Sequence, residues 1–227
     1  MGVRRLLVFA AVAAAVVGGC TTGEPPCCTE PVISLRVVNA FTGPVDVLVD
    51  GRLVSTGVAA GAIAALSATP GKHSIETRGQ ATSAIRDVMT KTNAVVTLAV
   101  TRAAGGTVSN FVLDDTNSVV PAGATKVRVL HLAPNAGTLQ VYRTQPDYQT
   151  PISWQFPFNY QPHPDPVSAP FYQSTVGTWD VRVWKEPADA SGWSTTDVKI
   201  SIPLGSGEKA TVVILDKPGG GVRVERL

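Results

Sequence analysis

Aromatic side chains are the chemistry-bearing residues that cluster most strongly in this sequence. The chain holds four Trp, four Tyr and six Phe, and all but three of these lie between Tyr142 and Trp193. Four of them alternate along a short run, at Trp154, Phe156, Phe158 and Tyr160. Alternate side chains of an extended strand project to one side, and exposed rings mark recognition sites. We predict a ligand-binding surface at these four residues; the alternative is a rigid lid of packed rings.

The histidines offer little support for catalysis. Nucleophilic catalysis needs a base held beside a nucleophile, and the available bases are His73, His131 and His163. His73 follows a turn, where a satisfied or surface histidine is the simpler interpretation, and His163 lies in a proline-rich stretch. His131 aligns with Asn39 of an earlier, similar segment, which suggests a shared hydrogen bond at a strand end. We therefore expect no catalytic residue and no cofactor, and we predict that the protein is not an enzyme.

Acidic residues form two candidate clusters. Asp46 and Asp50 share one face of a strand, and Asp114 and Asp115 end another. Hard cations need several converging oxygen ligands, so a calcium-stabilised adhesion module is one alternative function. A hydrolase of envelope glycans, built on Asp114, Asp115 and a residue of the aromatic segment, is another. Solvated strand edges and turns explain the same acids more simply, and we expect no metal site.

Residues 1–19 have the three parts of a secretory signal. Arg4 and Arg5 are basic, Leu6 to Val17 is an unbroken apolar run, and two glycines follow. The run is shorter than the roughly 20 apolar residues that a membrane-spanning helix needs, so we interpret it as a removable signal peptide. The stretch Val17-Gly18-Gly19-Cys20 resembles the lipobox of bacterial lipoproteins, in which the cysteine takes a diacylglycerol and the peptidase cuts just before it.

The lipobox resemblance implies export, lipidation of Cys20 and anchoring to the cell envelope through the N-terminal lipid, because several acyl chains on one residue anchor stably. Thr21 follows in place of Asp, which favours the outer membrane if the host is Gram-negative. The 19 Lys and Arg include Arg4 and Arg5, so the mature chain balances 17 basic against 17 acidic residues. A chain without net charge is not expected to bind nucleic acid.

Residues 20–31 are rich in Pro and Thr, which predicts a flexible tether between the lipid and the folded part. The tether contains the adjacent Cys27 and Cys28, the only other cysteines of the chain. Adjacent cysteines do not readily join two elements. A vicinal disulfide or a cross-link to a partner remains open for them in an oxidising compartment.

Short β-branched runs that stop at turn residues predict an all-β mature chain. The runs are Ile33–Asn39, Val45–Val49, Arg52–Ser55, His73–Thr77, Val95–Thr101 and Val108–Leu113. Asp50-Gly51 is a hairpin turn signal. The stretch from Val58 to Ala68 is the only helix candidate, but it contains Gly61 and lacks caps, so we predict strand and loop there. Strands at this spacing suggest a sandwich.

The strand pattern recurs, which predicts two tandem antiparallel β-sandwich repeats of Ig-like or transthyretin-like type. Three pairs of segments align: Leu35–Val49 with Val127–Val141, Thr69–Thr77 with Thr175–Val183, and Asn93–Val100 with Lys209–Asp216. The repeats then occupy residues 32–115 and 125–227, joined by a linker at 116–124. The second repeat carries an aromatic and proline-rich insertion at about 145–174.

The first repeat resembles the bacterial and archaeal domain-of-unknown-function 4397 family at Leu35–Ala40, Val45–Gly51, Pro70–Ile75 and Phe111–Asp115. The second repeat departs from the family pattern at Thr138–Tyr142, which lacks the acid-glycine turn. The resemblance implies exported, often lipid-anchored β-sandwich proteins and brings no assigned reaction. We expect a non-catalytic binding or scaffold protein. Its expected partners are the membrane, through the lipid, and an envelope polysaccharide or another envelope protein.

Overall fold

The computed structural model describes residues 33–79, 82–92, 94–102, 106–115, 119–146, 152–158, 170–185 and 198–227. These residues contain sixteen β-strands and no α-helix, so the predicted all-β class is confirmed. The strands are β1 (Ile33–Asn39), β2 (Val45–Val49), β3 (Arg52–Val58), β4 (Ile63–Ala68), β5 (Gly71–Arg78), β6 (Ser83–Thr90), β7 (Val95–Arg102), β8 (Val108–Asp114), β9 (Ala124–His131), β10 (Leu139–Thr144), β11 (Ile152–Phe158), β12 (Tyr172–Thr175), β13 (Gly177–Lys185), β14 (Val198–Leu204), β15 (Lys209–Asp216) and β16 (Val222–Arg226).

The strands form four sheets, which make two β-sandwich-like units in the described part of the chain. The first unit has the sheet orders β4-β1-β7-β8 and β3-β2-β5-β6, and the second has β12-β9-β15-β16 and β11-β10-β13-β14. Each order of the second unit is that of the first with eight added to every strand number. The two units therefore share one topology.

One strand pair in each unit differs from the predicted antiparallel arrangement. β1 and β7 pair in parallel, and so do β9 and β15. The prediction of wholly antiparallel sheets is wrong at these two pairs. Parallel neighbours need a long crossover connection, and here the strands of the facing sheet supply it, so the pairing could not be recognised from local turn signals.

The hairpins β2–β3 and β10–β11 share an irregular register. In each hairpin the pairing shifts twice, which is the mark of β-bulges. In the first unit Val45, Val47 and Leu48 lie opposite Val58, Ser55 and Leu53. In the second unit Leu139, Val141 and Tyr142 lie opposite Phe158, Gln155 and Ser153. The shared shifts make Val45 and Val47 equivalent to Leu139 and Val141. The predicted alignment of Leu35–Val49 with Val127–Val141 is therefore wrong by two residues along β2 and β10, because the connection from β9 to β10 is two residues longer than the one from β1 to β2.

Two of the aligned segments can be compared at single residues. Gly71 begins β5 with φ of +142°, and Gly177 begins β13 with φ of +143°, which confirms the alignment of these strands. The alignment of Asn93 with Lys209 is wrong by two residues, because Val95 and Lys209 make the equivalent pairs with β1 and β9. A shift of two residues keeps every side chain on its face, so the sequence pattern alone could not detect it.

Each unit has its own hydrophobic core between its two sheets. Leu35, Val47 and Leu98 are among the buried residues of the first core, and Val129, Val181 and Val212 are among those of the second. A third cluster lies between the sheets that contain β1 and β9. Its buried members are Val38, Ala40, Ala99, Leu113, Leu130, Leu132, Val213 and Leu215. The two units are therefore packed against each other through apolar side chains.

A buried ion pair reinforces the contact between the units. Asp115 and Arg128 are 7% and 3% exposed, and Arg128 Nη2 donates to Asp115 Oδ1 at 2.5 Å. Thr211 accepts a second hydrogen bond from Arg128, and Lys209 Nζ donates to the carbonyl oxygen of Asp115. Burial lowers the pKa of Arg128, and the charge of Asp115 opposes that change. The pair fixes the end of β8 to β9 and β15.

Candidate functional site

Strand β11 carries three of the four predicted aromatic site residues, Trp154, Phe156 and Phe158, whereas Tyr160 lies outside the described residues. β11 is an edge strand that pairs with β10. Two register shifts interrupt that pairing. The backbone therefore does not keep the unbroken two-residue alternation from which one shared face was predicted.

Three connections of the second unit are longer than those of the first by at least five residues. Residues 145–151, 159–171 and 186–197 of the second unit replace residues 50–51, 59–62 and 79–82 of the first. The segment predicted as an insertion, about 145–174, contains β11 and most of β12, which hold the sheet positions of β3 and β4. The extra length thus belongs to the connections, where Tyr148, Tyr160 and Trp193 also lie.

Two of these connections leave the same end of one sheet. Lys185 of β13 and Phe158 of β11 both lie opposite Leu139 of β10. The chain continues from Phe158 into residues 159–171 and from Lys185 into residues 186–197. The Leu139 end of the second unit is therefore where its sequence departs most from the first unit.

A cavity of about 410 Å³ lies at this end. Its apolar lining is Ala136, Leu139, Val183, Val198 and Val222, and its polar side chains are Asn135, Asp216 and Lys217. A mostly apolar cavity of this size with a few polar groups is typical of small-molecule sites. A second cavity of about 390 Å³ shares Asn135, Asp216 and Lys217 and reaches Phe41 and Gly61 of the first unit.

A polar network lies on the side of β13 that faces away from the core. Asp180 is 2% exposed, although it alternates with the core residue Trp179. Its carboxylate accepts hydrogen bonds from Ser201 Oγ at 2.5 Å and Lys199 Nζ at 3.2 Å. Burial by itself would raise the pKa of Asp180, but these hydrogen bonds and the neighbouring cations outweigh it and lower the pKa. The outer side of this sheet thus holds an ordered, charged carboxylate.

His73 is held between two acceptors, which confirms the interpretation of a satisfied histidine. Its Nδ1 lies 2.7 Å from Asp50 Oδ2, and its Nε2 lies 2.6 Å from the carbonyl oxygen of Thr69. A carboxylate and a carbonyl only accept hydrogen bonds, so this arrangement favours the protonated imidazole, in which both ring nitrogens donate. The hydrogen bond to Asp50 raises the pKa of His73 against the opposing effect of burial. His163 lies outside the described residues.

His131 and Asn39 make the same hydrogen bonds at the ends of β9 and β1, as predicted. Asn39 Oδ1 accepts from the backbone N–H of Phe41 at 2.9 Å, and Asn39 Nδ2 donates to the carbonyl of Gly43 at 2.9 Å. His131 Nδ1 accepts from the backbone N–H of Ala133 at 3.3 Å, and His131 Nε2 donates to the carbonyl of Gly137 at 2.8 Å. The imidazole is neutral, because its Nδ1 accepts.

The acidic candidates are bound by different protein donors. Asp46 accepts from Thr56 and Gly57, Asp50 from His73 and Ser74, and Asp115 from Arg128 and Thr97. The side chain of Asp114 is not among those that the structure describes. Within the part of the chain that the structure describes, no group of three or more His, Cys, Asp or Glu side chains could hold a metal ion.

The predicted lipidation site, Cys20, precedes the described residues, as do Cys27 and Cys28. Among the residues that are described, no helix is long and apolar enough to cross a bilayer.

The sequence analysis does not single out the polar side chains of the cavity, which are Asn135, Asp216 and Lys217. One signal was available for Asp216, which ends the buried run Ala210–Leu215 and precedes a proline-glycine turn. An acid at the end of a buried strand tends to lie at the mouth of a sandwich. Asn135 offers no such signal, because asparagine is common in loops.

One family matches part of the chain. Residues 33–142 match the family described as a domain of unknown function (DUF4397). The match covers the whole first unit, β9 and most of β10. None of the curated proteins matches the sequence. The chain thus carries one DUF4397 domain, at residues 33–142.

Proposed function

We propose that this protein is a non-catalytic, lipid-anchored component of the cell envelope, whose second unit binds an envelope polysaccharide or another envelope protein. One observation carries the proposal: two units of identical topology differ in the length and aromatic content of three connections. A scaffold that is kept while its loops are changed is the usual arrangement of binding proteins. We further propose that the second unit is a tandem repeat of the first within the same family.

Several contacts support a non-catalytic role. His73 and His131 have both ring nitrogens in hydrogen bonds to protein groups. Asp115 is committed to its ion pair with Arg128. A general base must reach the proton that it abstracts, and none of these three residues is among the described residues that line the cavity at the Leu139 end.

The aromatic strand β11 is the proposed contact surface. It lies at the edge of a sheet and carries Trp154 and Phe156, two of the residues that the sequence predicts as ligand-binding. In the same sheet, Asp180 of β13 accepts a hydrogen bond from Lys199 of β14. Rings that stack on sugars beside charged and polar groups would suit a glycan.

Paired variants test this proposal on the full-length protein. By their register, positions 154 and 156 of β11 correspond to positions 54 and 56 of β3. We expect Trp154→Ala with Phe156→Ala to reduce co-sedimentation with isolated envelope polysaccharide at least tenfold, because stacking area is lost. Val54→Ala with Thr56→Ala is the matched control and should bind as the wild type does.

Thermal unfolding separates loss of binding from loss of fold. If the β11 variant stays folded and still binds as tightly as the wild type, the surface lies elsewhere and the proposal fails. If the β11 variant unfolds, Tyr160→Ala is tested in its place, because residue 160 follows the strand. Unchanged polysaccharide binding by a folded Tyr160→Ala variant would also contradict the proposal.

A further inference from the structure

Asp216 is a half-buried carboxylate with few hydrogen-bond partners among the described residues. Its Oδ2 accepts from Asn135 Nδ2 at 2.8 Å, whereas its Oδ1 is inaccessible to solvent and accepts no hydrogen bond in the described part of the chain. An ionised carboxylate has about four acceptor positions, and leaving them empty in a buried place is costly. A ligand donor must therefore approach the carboxylate at Oδ2, because Oδ1 is enclosed by protein.

The surroundings of Asp216 do not neutralise its charge. Burial raises the pKa of Asp216, and only hydrogen bonds from Asn135 oppose the increase. No described cation contributes to lowering it. Lys217 follows in sequence, but it is exposed, so its ammonium is hydrated and screened by salt. The charge that would best stabilise this carboxylate is absent from its neighbours in the described chain.

Asp216 also lies where a ligand could reach it. It lines both the cavity of about 410 Å³ and the cavity of about 390 Å³. The first of these is walled by Leu139, Val183 and Val222 on its apolar sides. An apolar body in that space would gain burial of its surface, and a cationic group on it could pair with the carboxylate.

We propose that the cavity beside Asp216 binds a small ligand in which a primary ammonium group is joined to an apolar body. The ammonium pairs with the carboxylate of Asp216, and the apolar body lies among Leu139, Val183 and Val222. The inference deepens the proposed binding function and rests on it for the role of the second unit. It names the chemistry recognised at the Leu139 end.

Two probes of equal shape test the proposal: benzylamine, which is protonated at neutral pH, and benzyl alcohol, which is not. We expect titration of the full-length protein with benzylamine to shift the amide resonances of Gly220, Gly221 and Val222 saturably, with a millimolar Kd. Benzyl alcohol should bind about tenfold more weakly. Asp216→Asn should weaken benzylamine about tenfold and change benzyl alcohol less than twofold.

Asp87→Asn is the matched control, because Asp87 is an exposed carboxylate paired with Lys72 on the first unit. It should leave both Kd values unchanged. Equal affinity for the two probes, shifts that do not saturate, or an Asp216→Asn variant that binds benzylamine as the wild type does would overturn the proposal. If Asp216→Asn does not fold, Ala136→Leu takes its place, since it fills the cavity. It should abolish binding of both probes, and unchanged benzylamine binding would contradict the site.

The outcome is separable from that of the polysaccharide experiment. The β11 variant at Trp154 and Phe156 leaves every lining residue of the cavity in place, so it should bind benzylamine normally. Benzylamine binding without polysaccharide binding would contradict only the proposed β11 surface. Polysaccharide binding without benzylamine binding would contradict only the ammonium site.

Discussion

His131 and Asn39 show how one position can be filled by two chemistries. Both side chains accept a hydrogen bond from the backbone N–H two residues later and donate to a nearby carbonyl. Both are fully buried. The amide of Asn39 does not titrate, whereas the imidazole of His131 does. Because His131 stands in the second unit where the first unit has Asn39, the stability of the second unit is expected to depend on pH at this position.

The expected pH effect follows from the pKa of His131, which burial lowers from its ordinary value of 6.5. The unfolded state then binds a proton at higher pH than the folded state, so this contribution is present above about pH 6.5 and is lost as the pH falls. We predict that His131→Asn reduces the loss of unfolding free energy between pH 7.5 and 5.5. The size of the effect is about 1.4 kcal/mol for each unit of pKa difference, measured by urea unfolding.

His73 supplies the contrasting control for that measurement. Its pKa is raised, so its contribution is complete below about pH 6.5 and is lost as the pH rises through the folded-state pKa. His73→Gln should therefore flatten the stability curve on the alkaline side and leave its acid side unchanged. An acid-side slope that is the same in wild type and His131→Asn would show that His131 is not the titrating group.

At the scale of elements, the sequence predicts strands well where one face is buried. β5 alternates between buried and less buried positions, β1 alternates over its first half, and β7 is a run of six buried residues. The predicted strand and loop between Val58 and Ala68 is also confirmed. β6 is absent from the predictions because most of its residues are exposed, including Ile85 and Met89. Its place depends on pairing with β5, which local patterns do not encode.

The site is less predictable than the fold for the same reason. β11 was expected as an extended strand, and Trp154, Phe156 and Phe158 do lie on it. The bulges that interrupt its pairing with β10 depend on the partner strand. The cavity beside Asp216 is assembled from five strands and two connections, so no spacing along the chain reveals it.

β5 and β13 share a backbone requirement at their first residue. Gly71 and Gly177 begin these strands with φ near +140°, a conformation that favours glycine. No atom lies within 4 Å of a Cβ built on either glycine, so the cost of a side chain is purely conformational. We predict that Gly177→Ala lowers the unfolding free energy by about 1–3 kcal/mol, measured by urea unfolding. Gly205→Ala, where φ is not positive and the Cβ contacts are ordinary, should change it by less than about 0.5 kcal/mol. Equal effects would contradict the assigned backbone.

At the scale of the whole molecule, the two units form one folded body. The apolar cluster around Leu130 and Val213 and the pair between Asp115 and Arg128 join them. The family match ends within β10, inside the second unit. The matched domain therefore includes β9, the strand that carries Arg128 across the junction, and does not stop at the boundary between the sandwiches.

In the proposed function, the lipid on Cys20 holds this body at the membrane. Residues 21–31 separate Cys20 from the folded units, and at about 3.3 Å per extended residue they would span at most about 36 Å. The proposed binding surface would then reach envelope polymers within that distance of the lipid. The proposal as a whole depends on retention at the membrane through Cys20.

The most direct test is fractionation of cells that produce wild-type protein or Cys20→Ala. We predict that the wild type is recovered in the membrane fraction and enters the detergent phase on extraction. Cys20→Ala should lose that retention while showing the same unfolding transition as the wild type. Cys27→Ala is the control and should remain in the membrane fraction. A Cys20→Ala variant that stays with the membrane would contradict the lipid anchor and the envelope function built on it.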